Sequence, residues 1–96
     1  MYEKALALNI KDFIVYLGAV ALIDPSLGSI VEQANGLLEE PFKKAEDGTF
    51  SKEDARELQG MFTKGIGDWM WPSAFAGEVD KRIANLCGLA YAEEVA

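Results

Sequence analysis

The longest uncharged apolar run in the chain is FIVYLGAVALI, from Phe13 to Ile23. The run shows no alternation of polar and apolar residues and is long for a strand, so it favours a helix. A helix of this composition is apolar on every side, which implies burial all round. Its eleven residues fall well short of the roughly 20 that a membrane-spanning helix needs. We therefore expect a core helix, covering about 3–23, in a soluble protein.

The residues after Ile23 predict a turn and a second helix. Asp24-Pro25 is typical of a turn or a helix start. Ser29, with Glu32 three residues later, has the spacing of a capping box and predicts the start of the helix there. Pro41 has no amide hydrogen to donate to the preceding turn, so we expect it to end or kink this helix.

The sequence predicts two more helices, the first of which begins within the segment KKAEDGTFSKED. The pair Asp47-Gly48 predicts a turn, and Ser51, with Asp54 at the capping-box position, predicts the start of the third helix. Apolar residues recurring at spacings of three and four predict a fourth helix from about Ser73. We expect the last residues, 92–96, to fray.

Length and patterning together predict a single all-α domain. Ninety-six residues are enough for one modest hydrophobic core. The helical segments are joined by short connections and no segment has a convincing strand pattern. The sequence therefore predicts one domain over residues 1–96, a small bundle of four or five helices.

Charge and cysteine content exclude several classes of protein. Nine basic residues face 16 acidic ones, giving a formal charge of −7, whereas affinity for nucleic acid comes mostly from cationic contacts. We therefore expect no nucleic-acid partner. We also expect no membrane partner, because the longest apolar run is too short to span a bilayer. The single cysteine, Cys87, excludes an internal disulfide framework and favours a reducing compartment. The expected location is the cytoplasm.

Catalytic chemistry has few candidates in this chain. It contains no histidine, the commonest general base, and Cys87 lies in an apolar helical segment that is typical of a buried, inert thiol. The acidic residues come as sequence neighbours, which diverge on a helix. We expect no catalytic residues, no metal site and no cofactor, with an enzyme using carboxylates alone as the remaining catalytic alternative.

The stretch EDGTFSKED resembles the helix–loop–helix segment of EF-hand proteins. With Gly48 at the sixth position, Asp54 falls at the twelfth, where EF-hands place a carboxylate. However, Lys43 and Ala45 occupy the first and third positions, where a calcium loop needs oxygen ligands. The resemblance therefore implies a degenerate loop, and a glycine turn followed by a serine cap explains the same residues without a metal.

The segment GIGDWMWPSAF contains both tryptophans of the chain. Residues two apart diverge, so we expect one indole near the surface, and Trp and Met are favoured at recognition surfaces. The alternative is that the indoles plug one end of the bundle. The predicted binding surface or pocket consists of Phe62, Trp69, Met70, Trp71 and Phe75.

These features predict a non-catalytic protein-interaction module. Its partner would be a second copy of itself, as a homodimer, or another protein, because four short helices can hardly cover a first helix that is apolar all round. The alternative is a small-molecule binder that holds an apolar ligand in an aromatic pocket between helices.

Overall fold

The protein is all-α over the residues that the structure describes, which are 3–66, 69 and 71–95. In this computed structural model, four α-helices occur in chain order, and the described residues form no strand. The helices are α1 (Glu3–Ile23), α2 (Gly28–Asp47), α3 (Lys52–Lys64) and α4 (Ser73–Val95), with one 3-10 turn over Pro25–Leu27 between α1 and α2. The predicted all-α class is therefore confirmed.

The core lies against one face of α1. Leu6, Ile10, Phe13, Leu17 and Val20 are buried, and their alternating spacing of four and three places them on one side of the helix. This side of α1 packs against α2 and α4, and α3 packs against α4. The expectation that the part of α1 after Asp12 is buried all round is wrong, because Val15, Leu22 and Ile23 are exposed.

Helix α2 differs from prediction at its start, and of the two outcomes predicted for Pro41, it does not end there. The helix begins at Gly28 after Leu27, without a side-chain cap, so the predicted Ser29 capping box is wrong. The helix also continues through Pro41 to Asp47. The ion pairs Lys43–Glu39, at 3.1 Å, and Lys44–Glu40, at 3.4 Å, span the proline. The turn beyond the proline also contributes Ala45 to the core, which helps to offset the lost backbone hydrogen bond.

The junction between α2 and α3 is confirmed as predicted. Gly48 ends α2 with φ of 76°, the left-handed conformation that glycine adopts without steric cost. Ser51 caps α3 through a full capping box: its side chain accepts from the Asp54 amide, and the Asp54 side chain accepts from the Ser51 amide.

The end of α4 does not fray within the described residues, because the helix continues to Val95. The Glu94 carboxylate accepts a hydrogen bond from the Gln59 side chain at 2.9 Å and one from Arg56 at 3.3 Å. These contacts connect the last turn of α4 to α3, and they lower the pKa of Glu94, with the Gln59 hydrogen bond as the largest cause. Tertiary contacts therefore hold residues whose sequence predicted fraying.

Within the described part of the chain, α1 is the one helix long and apolar enough to cross a membrane, by length and composition only. The eleven-residue run from Phe13 to Ile23 underestimated the length of this helix, because the helix extends back to Glu3. Its length therefore does not exclude a membrane span. About 33% of its most apolar window is buried inside the fold. A core helix of a soluble protein and a signal sequence meet the same criteria, so this finding is weak evidence for a membrane span.

Candidate interaction surface

Trp69 and Trp71 lie between α3 and α4 in the chain, and both pack against the core. The Trp71 indole donates a hydrogen bond from Nε1 to the carbonyl oxygen of Ile66 at 3.1 Å, and Ile66 is fully buried. Trp69 lies beside Trp71, with ring centroids 6.4 Å apart and an interplanar angle of 40°. Both indoles are partly buried against the core, so each keeps an exposed portion.

The other predicted members of this surface have different environments. Phe62 is fully buried and lies 6.2 Å from the Phe13 ring. Phe62 is therefore a core residue, and it has no exposed surface through which it could take part in the predicted binding surface or pocket. Phe75 is partly buried and packs against the core, whereas Met70 lies outside the described residues. The structure thus brings Trp69 and Trp71 together, with Phe75 half-buried in the first turn of α4.

The clefts found among the described residues are lined by other side chains. One of about 230 Å³ lies between α2 and α3, beside Leu37, Pro41 and Met61. Another lies between α1 and α4, where Asn9 and Asn85 hydrogen-bond to each other at 2.8 Å. None of the clefts described here is lined by Trp69, Trp71 or Phe75.

The more extensive apolar surface is the outer face of α1. Leu8, Val15 and Leu22 are 60%, 64% and 85% exposed, and Ile23 beside them is 72% exposed. Such a row of large apolar side chains on one helix is typical of an interaction site. We call the row that contains Ala5, Leu8, Asp12, Val15, Ala19 and Leu22 the outer seam of α1; all six residues are exposed.

The outer seam has the spacing of a coiled-coil interface. Its residues follow each other at intervals of three and four, as the a and d positions of heptads do. It lies opposite the buried face, because Val15 is two residues, or roughly 200°, from Phe13 around the helix. The composition of α1 indicated apolar surface on all sides and a second chain that covers it. The sequence alone did not distinguish the outer seam from the buried row of α1, because both rows have the same spacing of three and four residues.

In the segment EDGTFSKED, which resembles an EF-hand loop, the Asp54 carboxylate takes part in contacts within the protein. The carboxylate of Asp54 accepts from the Ser51 amide at 2.9 Å and from the Lys44 ammonium at 2.9 Å. These partners, the Ser51 amide first, lower the pKa of Asp54. Residues 3–66, 69 and 71–95 contain no group of three or more carboxylates or cysteines placed to hold a metal ion.

The Cys87 thiol is half-buried on α4. Burial raises its pKa, which lowers the fraction of the reactive thiolate at neutral pH. A nucleophilic cysteine needs the opposite shift.

A polar contact between α1 and α4 fixes the side of α1 that faces α4. The Arg82 guanidinium lies over the Tyr16 ring, 4.7 Å from its centroid, and pairs with Glu78 at 3.0 Å. The pKa of Tyr16 is raised, mainly by burial and then by the Glu78 charge. Val15 is about 100° from Tyr16 around the helix, so it lies to one side of this contact, where it is 64% exposed on the outer seam.

No protein-family model matches this chain, and no curated protein or solved structure matches it significantly.

Proposed function

We propose that this protein is a non-catalytic interaction module, a small four-helix bundle that works by self-association. The observation that carries the proposal is the outer seam of α1, where Leu8, Val15 and Leu22 are all more than half exposed on one helix. Isolated apolar residues on a surface are ordinary, but large apolar side chains repeated every seven residues along one helix form a stripe of the kind that coiled-coil partners contact. Covering this row with another chain removes it from water, which is the main favourable term in most protein associations.

The tryptophan segment is the second apolar surface of the proposal. Trp69, Trp71 and Phe75 keep exposed portions although they pack against the core. The Trp71 indole N–H donates a hydrogen bond to the carbonyl oxygen of Ile66. We therefore assign Trp71 a mainly structural role. A contact with another protein through Trp69 and Trp71 would use the exposed edges of the two indoles.

The proposal places the protein in the cytoplasm, without a nucleic-acid or cofactor partner. It rests here on the charge of −7, the single cysteine and the absence of histidine from the sequence. Acidic proteins are repelled by phosphate backbones and by anionic membrane surfaces.

The molar mass in solution tests the proposal. We expect light scattering after size-exclusion chromatography to give about twice the chain mass of 10.5 kDa, with the mass falling on dilution as mass action requires. A mass that stays at that of one chain across the accessible concentrations contradicts self-association.

A further inference from the structure

We infer that the outer seam of α1 binds the outer seam of a second copy in antiparallel orientation, with Asp12 of each copy opposite Val15 of the other. This inference rests on the proposed self-association and specifies its surface, orientation and register. The occupant is another copy of this chain because the seam is complementary to itself in size and in charge.

The size pattern of the seam favours the antiparallel orientation. Along α1 the seam alternates between small or short residues (Ala5, Asp12, Ala19) and larger apolar ones (Leu8, Val15, Leu22). In antiparallel pairing, a positions face d positions, so the layers are Ala5 with Leu22, Leu8 with Ala19, and Asp12 with Val15. Every layer then joins a smaller side chain to a larger one, which allows even packing along the interface.

A parallel, in-register pair packs the same seam poorly. It places alanine opposite alanine and leucine opposite leucine, so that wide and narrow layers alternate. It also places Asp12 directly opposite Asp12 of the other copy, which is unfavourable for like charges, whereas the antiparallel register separates the two Asp12 residues by three residues, or about 4.5 Å along the helix axis. Antiparallel helices further avoid aligning their dipoles.

Charges at the two ends of the seam complement each other in the antiparallel register. Lys4 is exposed at the start of α1, and Asp24 follows its last residue. In the inferred register, Lys4 of one copy lies level with residues 23 and 24 of the other. Lys4 and Asp24 therefore lie at the same level at both ends of the seam, where the Asp24 carboxylate also accepts hydrogen bonds from the amide and hydroxyl of Ser26. The seam between Ala5 and Leu22 is about 26 Å long at 1.5 Å per residue.

A membrane surface fits this face less well than a second copy does. Helices that lie on membranes usually have a polar face rich in Lys and Arg, whereas this chain has a net charge of −7.

Three substitutions test the surface and the register. Val15→Glu places a carboxylate opposite Asp12 of the second copy, and we expect the dissociation constant to rise by roughly 100-fold or more because like charges meet. The matched control is Val95→Glu: Val95 is 61% exposed, against 64% for Val15, but it lies at the end of α4 and outside the seam. The control should remain as dimeric as the unmodified protein.

Val15→Lys distinguishes the register. In the antiparallel pair the introduced lysine faces Asp12 of the second copy, so the dimer should persist at concentrations that dissociate the Val15→Glu variant. In the parallel pair the lysine would face its own counterpart and the dimer would dissociate. Because Val15 is exposed within the single chain, both variants should keep the far-ultraviolet circular dichroism of the unmodified protein.

Light scattering over a dilution series of the four proteins gives distinct outcomes. If the unmodified protein dimerises and the Val15→Glu variant does so equally well, the inferred surface is wrong while self-association stands. If both Val15 variants dissociate equally, the antiparallel register is wrong. A chain that stays at 10.5 kDa overturns the proposed function and this inference together, and flotation of that single chain with phosphatidylcholine vesicles would assign the face to a membrane.

Discussion

Trp71 donates its indole N–H to the carbonyl oxygen of Ile66, 3.1 Å away. This hydrogen bond joins the half-buried indole to the backbone of Ile66, which is fully buried and lies two residues after the end of α3. It explains why an indole occurs in a connector that would otherwise be polar. The ring covers apolar side chains, and its N–H satisfies a carbonyl group near the helix end.

This contact predicts different costs for two substitutions of Trp71. Trp71→Phe keeps an aromatic ring but removes the donor, and we expect a loss of about 1 kcal/mol in the free energy of unfolding. Trp71→Ala also removes the packing, and we expect a loss of about 2–3 kcal/mol, less than for a fully buried tryptophan. Urea denaturation measures both values. Equal stability of the Trp71→Phe variant and the unmodified protein would show that the hydrogen bond contributes nothing.

The two serines with capping-box spacing should behave differently on substitution. Ser51→Ala removes the side-chain acceptor of the Asp54 amide, and we expect it to lower the free energy of unfolding by about 1 kcal/mol. Ser29→Ala is the matched control: Ser29 lies inside α2, whose start has no side-chain cap, so its substitution should cost little. Thermal denaturation of the two variants makes the comparison, and equal losses would contradict the assigned cap.

Two glycines, one inside α2 and one at its end, should respond in opposite directions to substitution by alanine. Gly48 has φ of 76°, so Gly48→Ala places a Cβ in the left-handed region at a cost of about 1–2 kcal/mol. Gly36 is an exposed residue in the interior of the helix, and a Cβ built there meets no atom within 4 Å. Gly36→Ala should therefore stabilise the protein by about 0.5–1 kcal/mol, because glycine is a poor helix former. Chemical denaturation of both variants would contradict this account if their stabilities changed in the same direction.

The Asp54 contacts predict how stability depends on pH. Hydrogen bonds from the Ser51 amide and the Lys44 ammonium hold the pKa of Asp54 below its ordinary value. A carboxyl group whose pKa is lower in the folded state contributes stability above its unfolded pKa and loses that contribution as pH falls through the folded pKa. The stability difference between the unmodified protein and Asp54→Asn should therefore be largest near neutral pH and shrink in the acid range below about pH 4.

Urea denaturation from pH 7 to pH 2.5 measures this difference. The matched control is Glu53→Gln, because Glu53 is an exposed carboxylate in the same first turn of α3. Its substitution should give a smaller difference at neutral pH, because the hydrogen bonds described for Asp54 are left in place. A constant gap between the unmodified protein and Asp54→Asn over the whole range would contradict the assigned role of the carboxylate.

Features controlled by neighbours in the chain were predictable from sequence. The bounds of α1, the turn at Gly48, the Ser51 capping box and the start of α4 each depend on residues within about four positions. Helix hydrogen bonds and caps connect residues at that separation, so their signals are present in short stretches of sequence.

Features that depend on distant contacts were not predictable in the same way. The sequence does not reveal that α2 continues past Pro41, where Ala45 joins the core. It also does not reveal that Arg56 and Gln59 hold the end of α4 through Glu94. In both cases tertiary packing overrides a local signal to stop or fray.

For the candidate site, the sequence determined that α1 carries more apolar surface than a small fold can cover, and that both indoles lie in one connector. Only the tertiary structure decided that Phe62 belongs to the core and that Leu8, Val15 and Leu22 face solvent. The physical reason is that a helix apolar on every side has no sequence signal for its inner face. That choice depends on where α2 and α4 pack, which leaves the outer seam free for another chain.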